Sequence, residues 1–215
     1  MSRKAYMAPE YALQSPVGAR LSGHPWRRFA VLGDSVVEQP GGFADLLRDE
    51  LAAARPDLEY RNLGVRNLRA AEVRDVQLAA ALAFRPDLAL VVCGANDAMR
   101  PGYEARADAV DAALAAIVRP LQQAGALVLT VSVFVMREYP HMPPWLGAGF
   151  ARRMACLAGR TNALAAALGT VHVDLSEHPA IARGEALTGD DGLHGNEHSH
   201  MIAAAALIDR LSAQF

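Results

Sequence analysis

Three residues of this chain have the types and the spacing that acyl-transfer chemistry requires. Ser35 directly follows a glycine and an aspartate at the end of an apolar run. A serine hydroxyl becomes an effective nucleophile only when a base takes its proton, and a histidine such as His194 can do this near neutral pH. Asp191 lies three residues before His194, a spacing that lets its carboxylate turn back onto the imidazole and fix the tautomer. These residues predict a Ser–His–Asp catalytic triad.

The same chemistry needs hydrogen-bond donors for the oxyanion that forms when a serine attacks a carbonyl carbon. The backbone N–H of Ser35, a backbone N–H near Asn67 and the side-chain amide of Asn96 are the candidates. We therefore add Asn96 to the predicted catalytic residues and assign Asn67 to the oxyanion and substrate-binding group.

Three neighbouring residues complete that oxyanion and substrate-binding group. Asp34 precedes the candidate nucleophile, and Gly64 and Arg66 lie close to Asn67. The guanidinium of Arg66 could meet an anionic group of the substrate, although a solvated arginine at the start of a helix is the more common situation.

The hydrophobic pattern predicts the elements that must position these residues. Short apolar runs predict strands at 28–33, 58–63, 87–93, 126–135 and 171–175, and helical spacing of apolar residues predicts helices between them, including 150–168 and 197–213. The strands are continuously apolar rather than alternating, so both faces of the sheet should be covered. We predict the fold class α/β, as a three-layer α/β/α sandwich around a parallel sheet of about five strands.

The candidate residues fall in four polar clusters, at 33–35, 62–67, 94–97 and 190–194. These clusters follow strands or precede the last helix, so they should meet at the carboxyl edge of the sheet. Each cluster alone is also typical of an ordinary turn or a helix cap. Their occurrence in one order along one edge favours a functional site over four unrelated turns.

The four clusters together resemble the SGNH (GDSL-type) hydrolase family of esterases, lipases and thioesterases. The matching blocks are Gly33-Asp34-Ser35, the stretch that begins at Asn62, Gly94-Ala95-Asn96-Asp97, and Asp191-Gly192-Leu193-His194. The resemblance runs from about residue 27 to the C-terminus. It implies a flavodoxin-like sandwich without a cofactor, in which Ser35 is nucleophile and oxyanion donor, His194 the base, Asp191 its orienting partner and Asn96 a further oxyanion donor.

One position departs from the pattern of that family. The family usually has a glycine five residues after the asparagine of the second block, and here this position is Asn67. Asparagine is the non-glycine residue that best tolerates a positive φ, so the backbone N–H can still serve an oxyanion hole. The Asn67 side chain is expected to narrow the pocket, add a donor, or mark a specialised substrate.

Length, charge and cysteine content exclude several other classes of protein. The 215 residues carry a net charge of −2, which argues against nucleic-acid binding, and 52% of them are hydrophobic, which suits one domain core. We predict a single domain over 27–215 and an N-terminal extension over 1–26 that could pack on a partner subunit in a homo-oligomer. Two cysteines are too few for a disulfide framework, and no apolar run is long enough for a membrane span, so a cytoplasmic protein is expected.

Two further features have alternative interpretations. His194, His198 and His200 lie close together in sequence, but their spacing does not suit a metal site, so no metal is predicted and the last two should cap a helix or face solvent. The segment 137–146, which contains Tyr139, either lines the substrate cleft or forms a rigid loop.

The predicted activity is hydrolysis of an ester or thioester of a small to medium acyl group, through an acyl-serine intermediate and without a cofactor. The same residues could transfer the acyl group to an alcohol or amine instead. A third hypothesis, motivated by Asn67, is a binding module that has lost catalysis.

Overall fold

The computed structural model describes residues 20–136, 138–139 and 141–215, and in these residues five parallel strands form one sheet. The strands are β1 (Arg28–Gly33), β2 (Glu59–Asn62), β3 (Leu88–Val92), β4 (Leu127–Ser132) and β5 (Val171–Asp174). Their order in the sheet is β2-β1-β3-β4-β5. The predicted parallel five-stranded α/β fold is confirmed.

The helices connect the strands and cover both faces of the sheet. They are α1 (Ser35–Glu38), α2 (Phe43–Ala54), α3 (Ala70–Phe84), α4 (Ala95–Ala98), α5 (Ala107–Gln123), α6 (Pro144–Leu168), α7 (Pro179–Ala182) and α8 (Glu197–Ser212), with a 3₁₀ turn at Glu104–Arg106. The short helices α1 and α4 directly follow β1 and β3, and they carry Ser35 and Asn96.

The core consists of two clusters, one on each face of the sheet. Phe29 and Val31 of β1 pack with α2 and α8 on one face, whereas Ala30 and Leu32 pack with α3, α5 and α6 on the other. This alternation follows from the two-residue period of a strand. It explains why the buried strands read as continuous apolar runs in the sequence.

The strand order places β1 and β3 side by side near the middle of the sheet. The chain leaves β1 toward β2 on one side and returns to β3 on the other, and Gly33 at the end of β1 pairs with Val92 at the end of β3. A reversal of this kind leaves a crevice at the carboxyl ends of the strands, where α/β sheets bind their ligands.

Part of the expected N-terminal extension belongs to the core. Residues 1–19 lie outside the described residues, but Leu21 and Trp26 are buried in the cluster formed with α2 and α8. The His24 ring stacks on Trp26 with 5.5 Å between ring centroids, and its Nε2 lies 3.1 Å from the Leu51 carbonyl oxygen. These large side chains, from residues assigned to the expected extension, complete the apolar layer.

Helix α6 also begins earlier than expected. Its first residue is Pro144, not Phe150, so part of the segment 137–146 is helical. Proline suits the first position of a helix, where its missing N–H would have no intrahelical partner. In the described residues no helix is both long and apolar enough to cross a membrane.

Candidate active site

The end of β1 holds Ser35 in a fixed place. A Cβ atom at Gly33 would lie 2.1 Å from the Val92 carbonyl oxygen, so only glycine allows this close approach between β1 and β3. The side chain of Gln77, from α3, accepts a hydrogen bond from the Gly33 N–H at 2.9 Å and donates one to the Gly33 carbonyl at 2.8 Å. The backbone two residues before Ser35 is thereby tied to two neighbouring elements.

Asp34 forms the N-cap of α1 and is fully buried. Its Oδ1 accepts a hydrogen bond from the Val36 N–H at 3.0 Å. Burial raises the pKa of Asp34 to about 6, although the N–H groups of Val36 and Gly94 partly oppose this effect. Asp34 therefore supports the start of the helix that carries Ser35, and it does not line the main cavity.

Ser35, His194 and Asp191 form a continuous chain of hydrogen bonds. Nε2 of His194 lies 3.0 Å from Oγ of Ser35, and Nδ1 of His194 lies 2.5 Å from Oδ2 of Asp191. Hydrogen bonds from the imidazole and from the Leu193 and His194 N–H groups lower the pKa of Asp191 to about 2. An ionised carboxylate only accepts, so the proton is on Nδ1 and Nε2 is left to take the serine proton.

The candidate oxyanion donors lie beside this chain. Ser35, Asn67 and Asn96 all line the cavity that contains His194. The Asn96 amide donates one hydrogen bond to the Leu68 carbonyl at 3.0 Å, which fixes its orientation. Its second N–H has no partner among the residues that the structure describes. Asn67 has a φ of 67°, so it occupies the left-handed region that its side chain was expected to tolerate.

Two predicted substrate-binding residues do not reach the cavity. The Gly64 N–H donates to Oδ1 of Asn62 at 2.9 Å, so it is not free to bind an oxyanion. The exposed Arg66 guanidinium pairs with Glu38, with Nε 2.8 Å from Oε2. Neither residue lines the cavity, so the structure does not support their assignment to the substrate site.

The cavity has a volume of about 190 Å³ and is mostly apolar. Its apolar walls come from both sides of the sheet and from the segment after β4. The larger side chains are Phe43, Val131, Phe134, Met136, Tyr139, Phe150, Met154, Leu175 and Leu187. Tyr139 lines this cavity, which favours the interpretation that the segment 137–146 lines the substrate cleft.

His200 is a cavity residue that the sequence did not reveal. It was expected to cap a helix or face solvent, but its side chain is buried and its Nδ1 accepts a hydrogen bond from the Phe43 N–H at 3.3 Å. Burial lowers the pKa of His200, so the neutral ring is favoured. Phe43 lies 157 residues away from His200 in sequence, and no local pattern could have indicated this contact.

The histidine cluster does not form a metal site in the described residues. Nε2 of His198 lies 2.6 Å from Oε2 of Glu185, away from the bonds that His194 and His200 make. Within the described ranges no group of three or more histidine, cysteine, aspartate or glutamate side chains is arranged to hold a metal ion.

Comparisons with known proteins concern the family and the fold of this chain. A model of the GDSL-like lipase/acylhydrolase family matches residues 31–202. The acetylxylan esterase Axe2 from Geobacillus stearothermophilus has a similar structure, with 18% identity, 88% of this chain and 94% of that chain covered, and a TM-score of 0.69. TesA is 21% identical, with 87% of this chain and 99% of that chain covered and a TM-score of 0.67. The acetyl xylan esterase AlAXEase is 16% identical, with 87% of this chain and 100% of that chain covered and a TM-score of 0.66. At these sequence identities the likeness to the solved structures concerns the fold alone. A comparison with curated proteins found no match.

Proposed function

The chain belongs to the GDSL-like lipase/acylhydrolase family and is an esterase of that type, and we propose that Ser35 carries its reaction. The proposed substrate is a small-molecule ester or thioester with a small to medium acyl group. The observation that carries this proposal is the hydrogen-bond chain from Ser35 through His194 to Asp191, beside an apolar cavity.

The first half of the proposed reaction forms an acyl-serine. Oγ of Ser35 attacks the carbonyl carbon of the substrate while Nε2 of His194 takes the hydroxyl proton, and the Asp191 carboxylate stabilises the resulting imidazolium. The oxyanion is held by the N–H groups of Ser35 and Asn67 and by the second N–H of the Asn96 amide. The intermediate then collapses, and His194 gives its proton to the departing alkoxide or thiolate.

The second half of the reaction releases the acid. A water molecule gives a proton to Nε2 of His194 and attacks the acyl-serine carbonyl, and the same donors hold the second oxyanion. When the bond to Oγ breaks, His194 returns the proton to Ser35, and the free acid leaves. No group other than the residues of this chain and water is needed for either half.

The apolar cavity supports a substrate acyl group larger than acetyl. Its volume is about 190 Å³, and an apolar cavity of about 150 Å³ is known to hold a benzene molecule. Burial of each additional methylene contributes about 0.8 kcal/mol, so a medium acyl chain should bind more tightly than acetyl. Axe2 and AlAXEase are described as acetylxylan esterases, so this preference would separate the chain from those two proteins.

The two other hypotheses are a binding module that has lost catalysis and an acyltransferase. The complete hydrogen-bond chain at Ser35 argues for an active enzyme rather than a binding module that has lost catalysis. Acyl transfer uses the same residues with an alcohol or amine in place of water. The products formed in the presence of such a nucleophile would distinguish transfer from hydrolysis.

The test of this proposal is hydrolysis of p-nitrophenyl esters and acyl thioesters with chains of two to ten carbons. We expect wild type to release free acid, with the longer chains preferred over acetyl. Ser35→Ala should lower kcat by a factor of about 10³ or more, because it removes the nucleophile. The matched control is Ser212→Ala, at the exposed end of α8, which should retain full activity. Unchanged hydrolysis by Ser35→Ala would contradict the assignment.

A further inference from the structure

Asn67 combines an unusual backbone conformation with a place at the active-site cavity. In the described residues the non-glycine positions with positive φ are Asn67, at 67°, and Arg85, at 52°. Arg85 ends α3 and caps it through a hydrogen bond from its N–H to the Leu82 carbonyl, a common use of this conformation. Asn67 ends no helix and lines the cavity with Ser35. Backbone strain at such a place points to a function of the residue. Glycine would offer the same N–H at this φ without strain, so the side chain is the feature that a function must explain.

The backbone around Asn67 is held firmly by its neighbours. The carbonyl of Leu68, the next residue, accepts the hydrogen bond from the Asn96 amide at 3.0 Å. The N–H of Ala70, which begins α3, donates to Oδ2 of Asp97 at 2.9 Å. Both contacts tie the turn to α4, so the Asn67 side chain starts from a point that is fixed relative to Asn96.

The carboxamide of Asn67 has no hydrogen-bond partner among the residues that the structure describes. The residue is exposed, and its neighbour Arg66 pairs with Glu38 rather than with it. Two N–H donors and one carbonyl acceptor therefore remain available beside Ser35.

The leaving group is the part of the substrate that these donors and acceptor fit. The acyl side of the site is the apolar cavity, where an unpaired polar group would be unfavourable. Asn67 is exposed and also lines the cavity, so its carboxamide can reach a part of the substrate that stays in water. We propose that the Asn67 carboxamide hydrogen-bonds a hydroxyl or carbonyl group on the leaving group, so that esters of polyhydroxy alcohols are preferred over alkyl esters. This inference rests on the proposed esterase function.

The test compares two esters with the same octanoyl group, one of glycerol and one of butanol. For wild type we expect kcat/KM to be higher for the glycerol ester. The variant Asn67→Gly keeps the backbone N–H and suits the positive φ, so it removes only the side chain. It should lower kcat/KM for the glycerol ester by about five- to tenfold more than for the butyl ester, the value of one or two neutral hydrogen bonds. The matched control Arg85→Gly relieves the other positive φ and should change neither value.

The outcomes separate this inference from the function on which it rests. If both esters are hydrolysed and Asn67→Gly leaves their ratio unchanged, the inference is wrong and the esterase function stands. The inference is also wrong if both esters lose activity equally, because the residue then supports catalysis through its backbone rather than selectivity through its side chain. If wild type hydrolyses neither ester and Ser35 reacts with no acyl donor, the proposed function and the inference fail together.

Discussion

Asp191 uses both oxygens of its carboxylate to orient His194. Oδ2 accepts from the ring Nδ1 at 2.5 Å, while Oδ1 accepts from the N–H groups of Leu193 and His194 at 2.9 Å each. The carboxylate thus holds the imidazole and the backbone that carries it. The pKa of Asp191, lowered to about 2, keeps the group ionised across the range in which enzymes usually work.

We expect Asp191→Asn to lower kcat by a factor of about 10³, because an amide can donate to Nδ1 and so favour the wrong tautomer of His194. KM should change little, since Asp191 does not line the cavity. The matched control is Asp190→Asn, one residue earlier, which should retain nearly full kcat. Steady-state kinetics of both variants would check this prediction, and equal effects at the two positions would contradict it.

Asp34 gives the protein a stability that depends on pH. Its pKa is raised to about 6 from an ordinary value of 3.8, so the folded state binds a proton that the unfolded state has released between these values. This contribution to stability is fully present below about pH 4 and is lost as the pH rises through about 6. The fully buried side chain should therefore contribute roughly 2.5 kcal/mol less at pH 7.5 than at pH 4.

The variant Asp34→Asn tests this pH dependence, because the amide can still accept from the Val36 N–H and does not titrate. The free energy of unfolding of wild type minus that of the variant should fall by roughly 2.5 kcal/mol between pH 4 and pH 7.5. Urea titrations at the two pH values would measure the difference. A difference that is constant or rises with pH would show that Asp34 is not protonated in the way described.

At the scale of elements, the contact between α3 and the end of β1 positions the nucleophile. Gln77 makes two hydrogen bonds to the Gly33 backbone, and the Gly33 carbonyl also accepts from the Val65 N–H at 3.2 Å. The backbone of Gly33 is therefore bonded both to α3 and to the segment that leads to Asn67.

We expect Gln77→Met to destabilise the protein by about 2 kcal/mol, because it leaves the buried Gly33 N–H without a partner. The matched control is Val76→Ala on the same helix, whose side chain is exposed and which should change stability by less than about 0.5 kcal/mol. Urea denaturation of both variants would test the prediction. Equal stability of Gln77→Met and wild type would contradict the role given to this contact.

The elements could be predicted where local pattern and burial agree. Strand β1 spans Arg28–Gly33 as expected, because its apolar run ends at a glycine that the packing requires. The start of α6 could not be predicted, because the prolines before it are equally typical of a loop and of a first helical turn. The burial of Leu21 and Trp26 could not be predicted, because it depends on helices that are distant in sequence.

The candidate site could be predicted only in part, because some of its contacts follow from local motifs and others depend on tertiary structure. The types and spacing of Ser35, Asp191 and His194 predicted hydrogen bonds among them, and the structure has these bonds. Gly64 and Arg66 were expected there because they are close to Asn67 in sequence. The Gly64 N–H instead donates to Asn62, and the Arg66 guanidinium pairs with Glu38. Such competition between partners is decided by tertiary structure, which a local motif does not contain.

At the scale of the whole molecule, the cavity lies where the two helical layers and the carboxyl edge of the sheet meet. Ala203 of α8 lines it from one side, and Phe150 of α6 lines it from the other. The length of the acyl chain that fits should therefore depend on side chains from both layers.

We expect Ala203→Met to shift the acyl preference toward shorter chains, because the added side chain fills part of the cavity. The value of kcat/KM for decanoyl esters should fall at least tenfold, which corresponds to about two methylene groups denied burial, while acetyl esters should be affected by less than about twofold. Ala205→Met, on the same helix but not at the cavity, is the matched control. An unchanged chain-length profile would mean that the acyl group binds elsewhere.

The central claim, that Ser35 is the nucleophile activated by His194, is tested most directly by a fluorophosphonate probe, which reacts with activated serines. Mass spectrometry of the labelled protein should show one probe per chain, on the peptide that contains Ser35. Labelling should disappear in Ser35→Ala and become much slower in His194→Ala, because the base is lost. Labelling at another residue, or undiminished labelling of Ser35→Ala, would contradict the account.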